Sequence, residues 1–164
     1  MELAIPTRPV QPEDEARFYR LWPRLSRETV YRRFHAPLHR LPRETVRRLV
    51  QVDHDLREAV VADVGGEVVG VARYDRSPTD PTTAEFAILV EDAWQGLGVG
   101  RQLLLQLIDL ARDLGVPVLT ATVQPDNERV LGLIRRLLPA SSVTADDDVL
   151  VVRSVLQPAL ATSS

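Results

Sequence analysis

Cysteine is absent from this chain of 164 residues, and so is lysine; all 20 basic residues are arginine. Without thiols there is no disulfide, no thiolate metal site and no cysteine nucleophile, so a covalent intermediate on the protein would need another side chain. Long apolar runs are missing too: no stretch approaches the roughly 18 consecutive apolar residues of a membrane span. The opening residues, Met1-Glu2-Leu3-Ala4-Ile5-Pro6, have neither the basic nor the apolar region of a secretory signal, and a cytoplasmic location with no membrane partner is expected. Aromatics make up only 5% and are not interleaved with the arginines, so nucleic acid is not an expected partner. Of the three histidines, His35 and His39 have helical spacing but are separated by Pro37, and Asp53-His54-Asp55 has no further ligand at metal-binding distance in sequence. No metal site is expected.

What is present fits one compact domain over residues 1–164, with a loose tail at 157–164: hydrophobic content is 45% and net charge only -3. Arginines crowd the segment from Arg17 to Arg57, while Asp146-Asp147-Asp148 lies near the C-terminus. That asymmetry can steer an acidic partner or phosphates, although a solvated helix face is the commoner meaning of such clusters.

Periodicity predicts a short strand at 3–10, then a helix in which Phe18, Leu21, Trp22 and Leu25 recur at i, i+3, i+4 and i+7. Ser26 is placed to cap a second helix reaching Phe34, and a third is expected from Pro42 to Gln51. Two valine-rich runs around Gly65-Gly66 predict a hairpin over 58–74, followed by a loop at 77–83 and a strand at 84–91. A leucine-rich helix from Arg101 to Leu114, a strand at 116–123, a helix from Asn127 to Leu138 and a closing strand pair (143–144 with 149–156) complete the chain. Strand, helix and strand over 84–123 imply a right-handed parallel crossover, so the expected fold is α/β: a mixed, mostly antiparallel sheet with one parallel strand pair and helices on both faces.

Between the 84–91 strand and the leucine-rich helix stands Gln95-Gly96-Leu97-Gly98-Val99-Gly100. Three glycines in five residues let the backbone turn tightly and bring its amides close to a ligand, and amides at a helix start lack intrahelical partners. With the helix dipole behind them they suit a pyrophosphate. The dinucleotide fingerprint fails, because the sixth position counted from Gly96 is Arg101, and no Gly-Lys-Ser/Thr follows for a P-loop. A plain strand-to-helix turn is the simpler alternative.

The spacing Gln-x-x-Gly-x-Gly, filled by Gln95, Gly98 and Gly100, resembles the coenzyme A loop of the GNAT superfamily of acetyltransferases, and the expected order of elements resembles that fold from end to end. Ser26, Glu28, Tyr31, Arg33 and Phe34, then Leu38, Leu41, Asp53 and 58–62, resemble the amino half of bacterial GNAT protein lysine acetyltransferases. Gly70 to Tyr74, Ala84 to Ala87 and Val90 extend the likeness, which covers roughly residues 6–138. The resemblance implies acetyl-CoA as co-substrate, its pantetheine arm lying against the backbone of Ile88 and Val90. Val90's amide would also polarise the thioester carbonyl. Amides of Leu97, Gly98, Val99, Gly100 and Arg101 would hold the pyrophosphate, and Asn127 would bond the arm or cap its helix. Acceptors implied are a protein lysine or a small-molecule amine; a non-catalytic acyl-CoA-binding module is the alternative. A chain without lysine suits an enzyme that acylates lysines, although arginine-rich codon usage is the simpler explanation.

Glu85 is the only charge in Ala84 to Val90. A lysine amine of pKa about 10.4 is neutral to only about 0.04% at pH 7, so attack on a thioester needs a base. Partial burial is expected to raise the Glu85 carboxyl towards a useful value, and the resemblance places the family's catalytic glutamate here. An ion pair with Arg73 on the neighbouring strand is the structural alternative. The tyrosine that many GNAT enzymes use to protonate the departing thiolate has no counterpart in Leu133 to Ala140. Tyr31, Tyr74 and Trp94 are candidates for an acceptor groove or for the core.

Overall fold

The computed structural model describes residues 4–157; Leu3 of the first expected strand and residues 158–164 of the expected tail lie outside them. Seven strands form one sheet in the order β1-β2-β3-β4-β5-β7-β6. They are β1 (Thr7–Pro9), β2 (Arg57–Val64), β3 (Glu67–Arg76), β4 (Thr83–Val90), β5 (Val118–Val123), β6 (Ser141–Asp146) and β7 (Val149–Val155). The helices are α1 (Asp14–Leu21), α2 (Arg27–Phe34), α3 (Arg43–Val50), α4 (Val99–Asp113) and α5 (Glu128–Leu137). Every neighbouring strand pair is antiparallel except β4 and β5, so the mixed sheet expected from sequence is the one observed. Among the described residues no helix is long and apolar enough to cross a membrane.

Both faces of the sheet are covered, which is why β2 and β3 read as nearly unbroken apolar runs rather than alternating ones. On one face α4 presents Leu103, Leu104, Leu107, Ile108 and Ala111 to Val60, Ala72, Tyr74 and Phe86, with Leu131 and Ile134 of α5 alongside. Gly70 permits that approach: a Cβ there would stand 3.0 Å from Leu103 Cδ1 and 3.3 Å from the Leu89 carbonyl oxygen. On the other face α1 and α3 set Phe18, Leu21, Val46 and Val50 against Ala59, Val61, Val71 and Leu89.

Three boundaries differ from expectation for backbone reasons. α1 ends at Leu21 and tightens into a 3-10 turn, Trp22–Arg24, because Pro23 cannot donate to a continuing helix. β5 begins at Val118, since Pro117 has no N–H for a ladder; its carbonyl instead accepts from the Leu156 amide at 2.8 Å. The closing hairpin is longer than predicted, turning at Asp147 with φ 51°.

The N-terminal end is held by a buried carboxylate. Asp14 is 0% exposed and accepts from Arg8 through two nitrogens at 2.8 and 2.7 Å, from the Gln11 amide at 2.8 Å and from Arg17 at 3.1 Å. Burial alone would raise this carboxyl, but the Arg8 and Gln11 hydrogen bonds, Arg8's charge and Arg17 together outweigh it and hold it below the ordinary value. Since Arg8 lies on β1 and also reaches Asp63, the cluster fastens β1, α1 and β2 together.

One irregularity positions everything that follows. β4 and β5 pair only from Thr83↔Val118 to Glu85↔Thr120, while β4 continues against β3 to Gly70↔Val90 and β5 against β7 to Val123↔Leu150. Beyond Glu85 the two strands are no longer paired, and a wedge opens in the middle of the sheet.

Candidate active site

The Glu91 amide donates to the Val69 carbonyl at 2.8 Å, and this fixes the phase of the β3–β4 ladder. Antiparallel alternation then turns the amides of Leu89, Ala87 and Glu85 towards β3, and those of Val90 and Ile88 into the wedge. An extended ligand arm can add there as a strand would.

At the mouth of the wedge lies the glycine loop. Gly96 and Gly98 have φ of 78° and 90°, a left-handed conformation that glycine adopts without steric cost. The first main-chain bond at this end of α4 runs from the Gln102 amide to the Gly98 carbonyl at 3.1 Å. Among the described residues no main-chain acceptor takes the amides of Gly98, Val99 or Gly100. A Cβ on Gly100 would stand 3.3 Å from Leu133 Cδ1 and 3.7 Å from Val90 Cγ2, so α5 closes on the loop at its small residue. The resulting cleft of about 580 Å³ is lined by Ile88, Val90, Trp94 and Leu133 on the apolar side, by the amide of Asn127, and by Arg101, Arg129 and Arg136 among its charges. Donors without main-chain partners, a helix N-terminus and several arginines fit a diphosphate, and the volume is that of a typical ligand site.

Gln95 organises this loop through its side chain. Its Nε2 donates to the Val90 carbonyl at 3.0 Å and to Thr29 Oγ1 at 3.1 Å, and its Oε1 accepts from Arg129 at 2.8 Å. α2 joins the same network: the Ser26 amide and Thr29 hydroxyl donate to Asp92 at 2.8 and 3.1 Å, and Ser26 Oγ caps the helix as expected. Burial would raise the Asp92 carboxyl, but these hydrogen bonds hold it below its ordinary value. The sequence reading missed Thr29, Asp92 and Arg129; the acidic pair Glu91-Asp92 just ahead of the glycines was the available signal. Glu91 itself is 5% exposed and ion-paired with Arg24, which ties the end of β4 to the turn after α1. Asn127 caps α5, its Oδ1 accepting from the Val130 amide at 3.4 Å.

Behind the cleft is a smaller chamber of about 170 Å³, lined by Glu85, Ala87, Arg33, Phe34 and Thr122 among others. Ile88, Asn127 and Val130 line both spaces, whereas Val90 lines the cleft alone. The two therefore meet at Ile88. Glu85 faces the chamber but is exposed, which corrects the expectation of burial: Ala84 and Phe86 point into the α4 core, and the helices on Glu85's own face reach only as far as Leu89 and Val71. The alternative ion pair with Arg73 is not formed either. Arg73 stands opposite Ala87 and bonds Asp75 on its own strand. Of the aromatics considered for the groove, Trp94 lines the cleft, Tyr31 is 47% exposed and Tyr74 is buried in the core. His54 Nδ1 lies 2.8 Å from a carboxylate oxygen of Glu58.

Comparison with known proteins agrees with this geometry. The GNAT domain of S. lividans PAT superposes with a TM-score of 0.82 at 30% identity, covering 92% of this chain and 89% of that one. Acetyltransferase Pat of Mycolicibacterium smegmatis is 35% identical over 132 residues, 79% of this chain and 39% of that protein. The L-methionine sulfoximine/L-methionine sulfone acetyltransferase of Pseudomonas aeruginosa is 41% identical over 81 residues, 48% of this chain and 47% of the relative. The matches thus span less than half the length of these two relatives. The sequence profile of the acetyltransferase (GNAT) family matches residues 14–138, a range that takes in the glycine loop, the wedge and α5. This chain belongs to the acetyltransferase (GNAT) family.

Proposed function

We propose that the protein is an acetyl-CoA-dependent N-acetyltransferase that moves an acetyl group to a primary amine by direct attack in a ternary complex, with a protein lysine as the leading acceptor. The observation that carries this reading is Ile88: its amide points into the wedge, and it is the β4 residue, besides those seen only from one side, that lines both cleft and chamber. Amides of Leu97 to Arg101 would hold the diphosphate, and those of Ile88 and Val90 the arm. The thioester supplies the activated acetyl group.

Strand spacing divides the work between the two β4 amides. Five residues of extended chain put Val90 about 17 Å from Glu85, and three put Ile88 about 10 Å away. Ile88 is therefore the better donor to the carbonyl oxygen where charge develops, and Val90 the better anchor for the arm; this revises the role first given to Val90. Glu85 takes the amine's proton through a water, since its carboxylate remains several ångströms short of the carbonyl. No tyrosine is required at the leaving group, because a thiol of pKa about 8.5 departs as thiolate far more readily than an amine would.

The lysine reading is supported by the amino-half resemblance and by the likeness over 92% of the chain to the S. lividans domain. A small-molecule amine is the second reading, favoured by the small chamber and by the methionine sulfone relative. Thiol release from acetyl-CoA, measured with a panel of lysine peptides and free amines, tests both. We expect turnover that depends on an added amine and is faster with lysine peptides. Coenzyme binding without turnover on any amine would identify a binding module instead.

A further inference from the structure

The chamber contains a guanidinium that the protein does not neutralise. Among the described residues the Arg33 guanidinium has no hydrogen bond and no ion pair; its close contact is with the neighbouring Phe34 ring, 4.7 Å from the guanidinium carbon. The cations around it are matched: Arg32 with Glu28 at 2.8 Å and Asp126 at 3.3 Å, and Arg73 with Asp75. Burial, together with the like charge of Arg73, pushes Arg33 down to about 10 in spite of the attraction of Asp75 and Glu85. A partly desolvated cation without an anion is costly to hold.

Its position says where the missing anion comes from. Arg33, Phe34 and Ala87 line both the chamber and the apolar pocket beneath α1 and α3, so the guanidinium stands at the inner boundary of the chamber. Glu85 shares that chamber without touching Arg33. One negative and one positive group in a single small space, left unpaired with each other, are complementary to a molecule carrying an amine and a carboxylate. Arginine's planar fork suits a carboxylate particularly well.

We propose that Arg33 binds a carboxylate carried by the acceptor close to its reacting amine, and so makes Arg33 a specificity-determining residue. This rests on the acetyltransferase reading above. The carboxylate is either that of a free amino acid or that of an Asp or Glu beside a target lysine.

Initial rates on two matched acceptor pairs separate these sources: a free amino acid against its amide, and a lysine peptide with a flanking Asp against the same peptide with Asn. For at least one pair the native protein should show a KM about tenfold or more lower for the carboxylate member, the range expected of a charge-assisted hydrogen bond. Arg33→Gln should bring that ratio close to one, and Arg33→Lys should keep part of it, with coenzyme binding by calorimetry showing that both variants are folded. No preference in either pair, which needs no variant to establish, would overturn the proposal, as would a preference that survives Arg33→Gln. Absence of turnover with every amine would overturn the transferase reading itself, and this inference with it.

Discussion

Glu85→Gln should lower the rate of amine acetylation at pH 7 by about tenfold to a hundredfold while leaving coenzyme affinity unchanged. The fall is set at the lower end of what a positioned base contributes, because Glu85 is exposed and solvent can partly replace it. The amide keeps the shape and the place on β4, opposite Asp75 and beside Thr120, so a loss of rate reports chemistry rather than folding. Raising the pH supplies neutral amine without any base. The deficit of the variant should therefore shrink as pH climbs towards the amine's own pKa of about 10.4. Rates measured from pH 6 to 10 check this, and an unchanged rate at pH 7 would remove Glu85 from the mechanism.

Asp14→Asn should destabilise the fold by about 3 to 5 kcal/mol, the usual consequence of removing one partner from a buried ion pair. The carboxylate is fully buried and holds four donors from Arg8, Gln11 and Arg17; the amide offers one acceptor oxygen and a nitrogen that faces guanidinium groups. For a domain of this size the midpoint of thermal unfolding should fall by about 10 °C. The pH dependence has a definite sign. Asp14's folded value lies below its ordinary 3.8, so its contribution is complete above that value and disappears as the pH falls through the lowered one. Urea unfolding at pH 7 and near pH 2.5 should show a large gap between native and variant protein in the first case and a much smaller one in the second. A constant gap would mean that Asp14 stabilises by packing and not by charge.

Local signals in the sequence reached far into this structure. Gly65-Gly66 marked a hairpin because positive φ at consecutive residues is what such a turn demands, and both residues have it. Gln95 to Gly100 marked the loop because three glycines in five residues let the backbone turn tightly between a strand and a helix. The α4 helix was legible from its leucine-rich run, and the apolar stripe of α1 from the period of Phe18, Leu21 and Trp22. What escaped depends on contacts distant in sequence. Asp14 sits in a run of acids, Glu13-Asp14-Glu15, that reads as an exposed helix start; only the arrival of Arg8 from β1 makes one of them a buried staple. Glu85 was misjudged for the opposite reason. Its apolar neighbours suggested burial, yet they alternate onto the covered face, and the cover on the other face stops short of it. Arg33 stood out in the sequence only as part of the family resemblance, and its isolation follows from how Glu28, Asp126 and Asp75 are shared out among Arg32 and Arg73.

The claim on which the rest depends is that main-chain amides at the start of α4 hold a diphosphate beside the split between β4 and β5. A crystal structure of the protein with coenzyme A tests it most directly. The diphosphate oxygens should lie about 2.7–3.2 Å from the amides of Gly98, Val99 and Gly100, with the pantetheine arm running along Ile88 and Val90 into the wedge. Coenzyme lodged at another surface, or a wedge left empty at saturating ligand, would contradict the account.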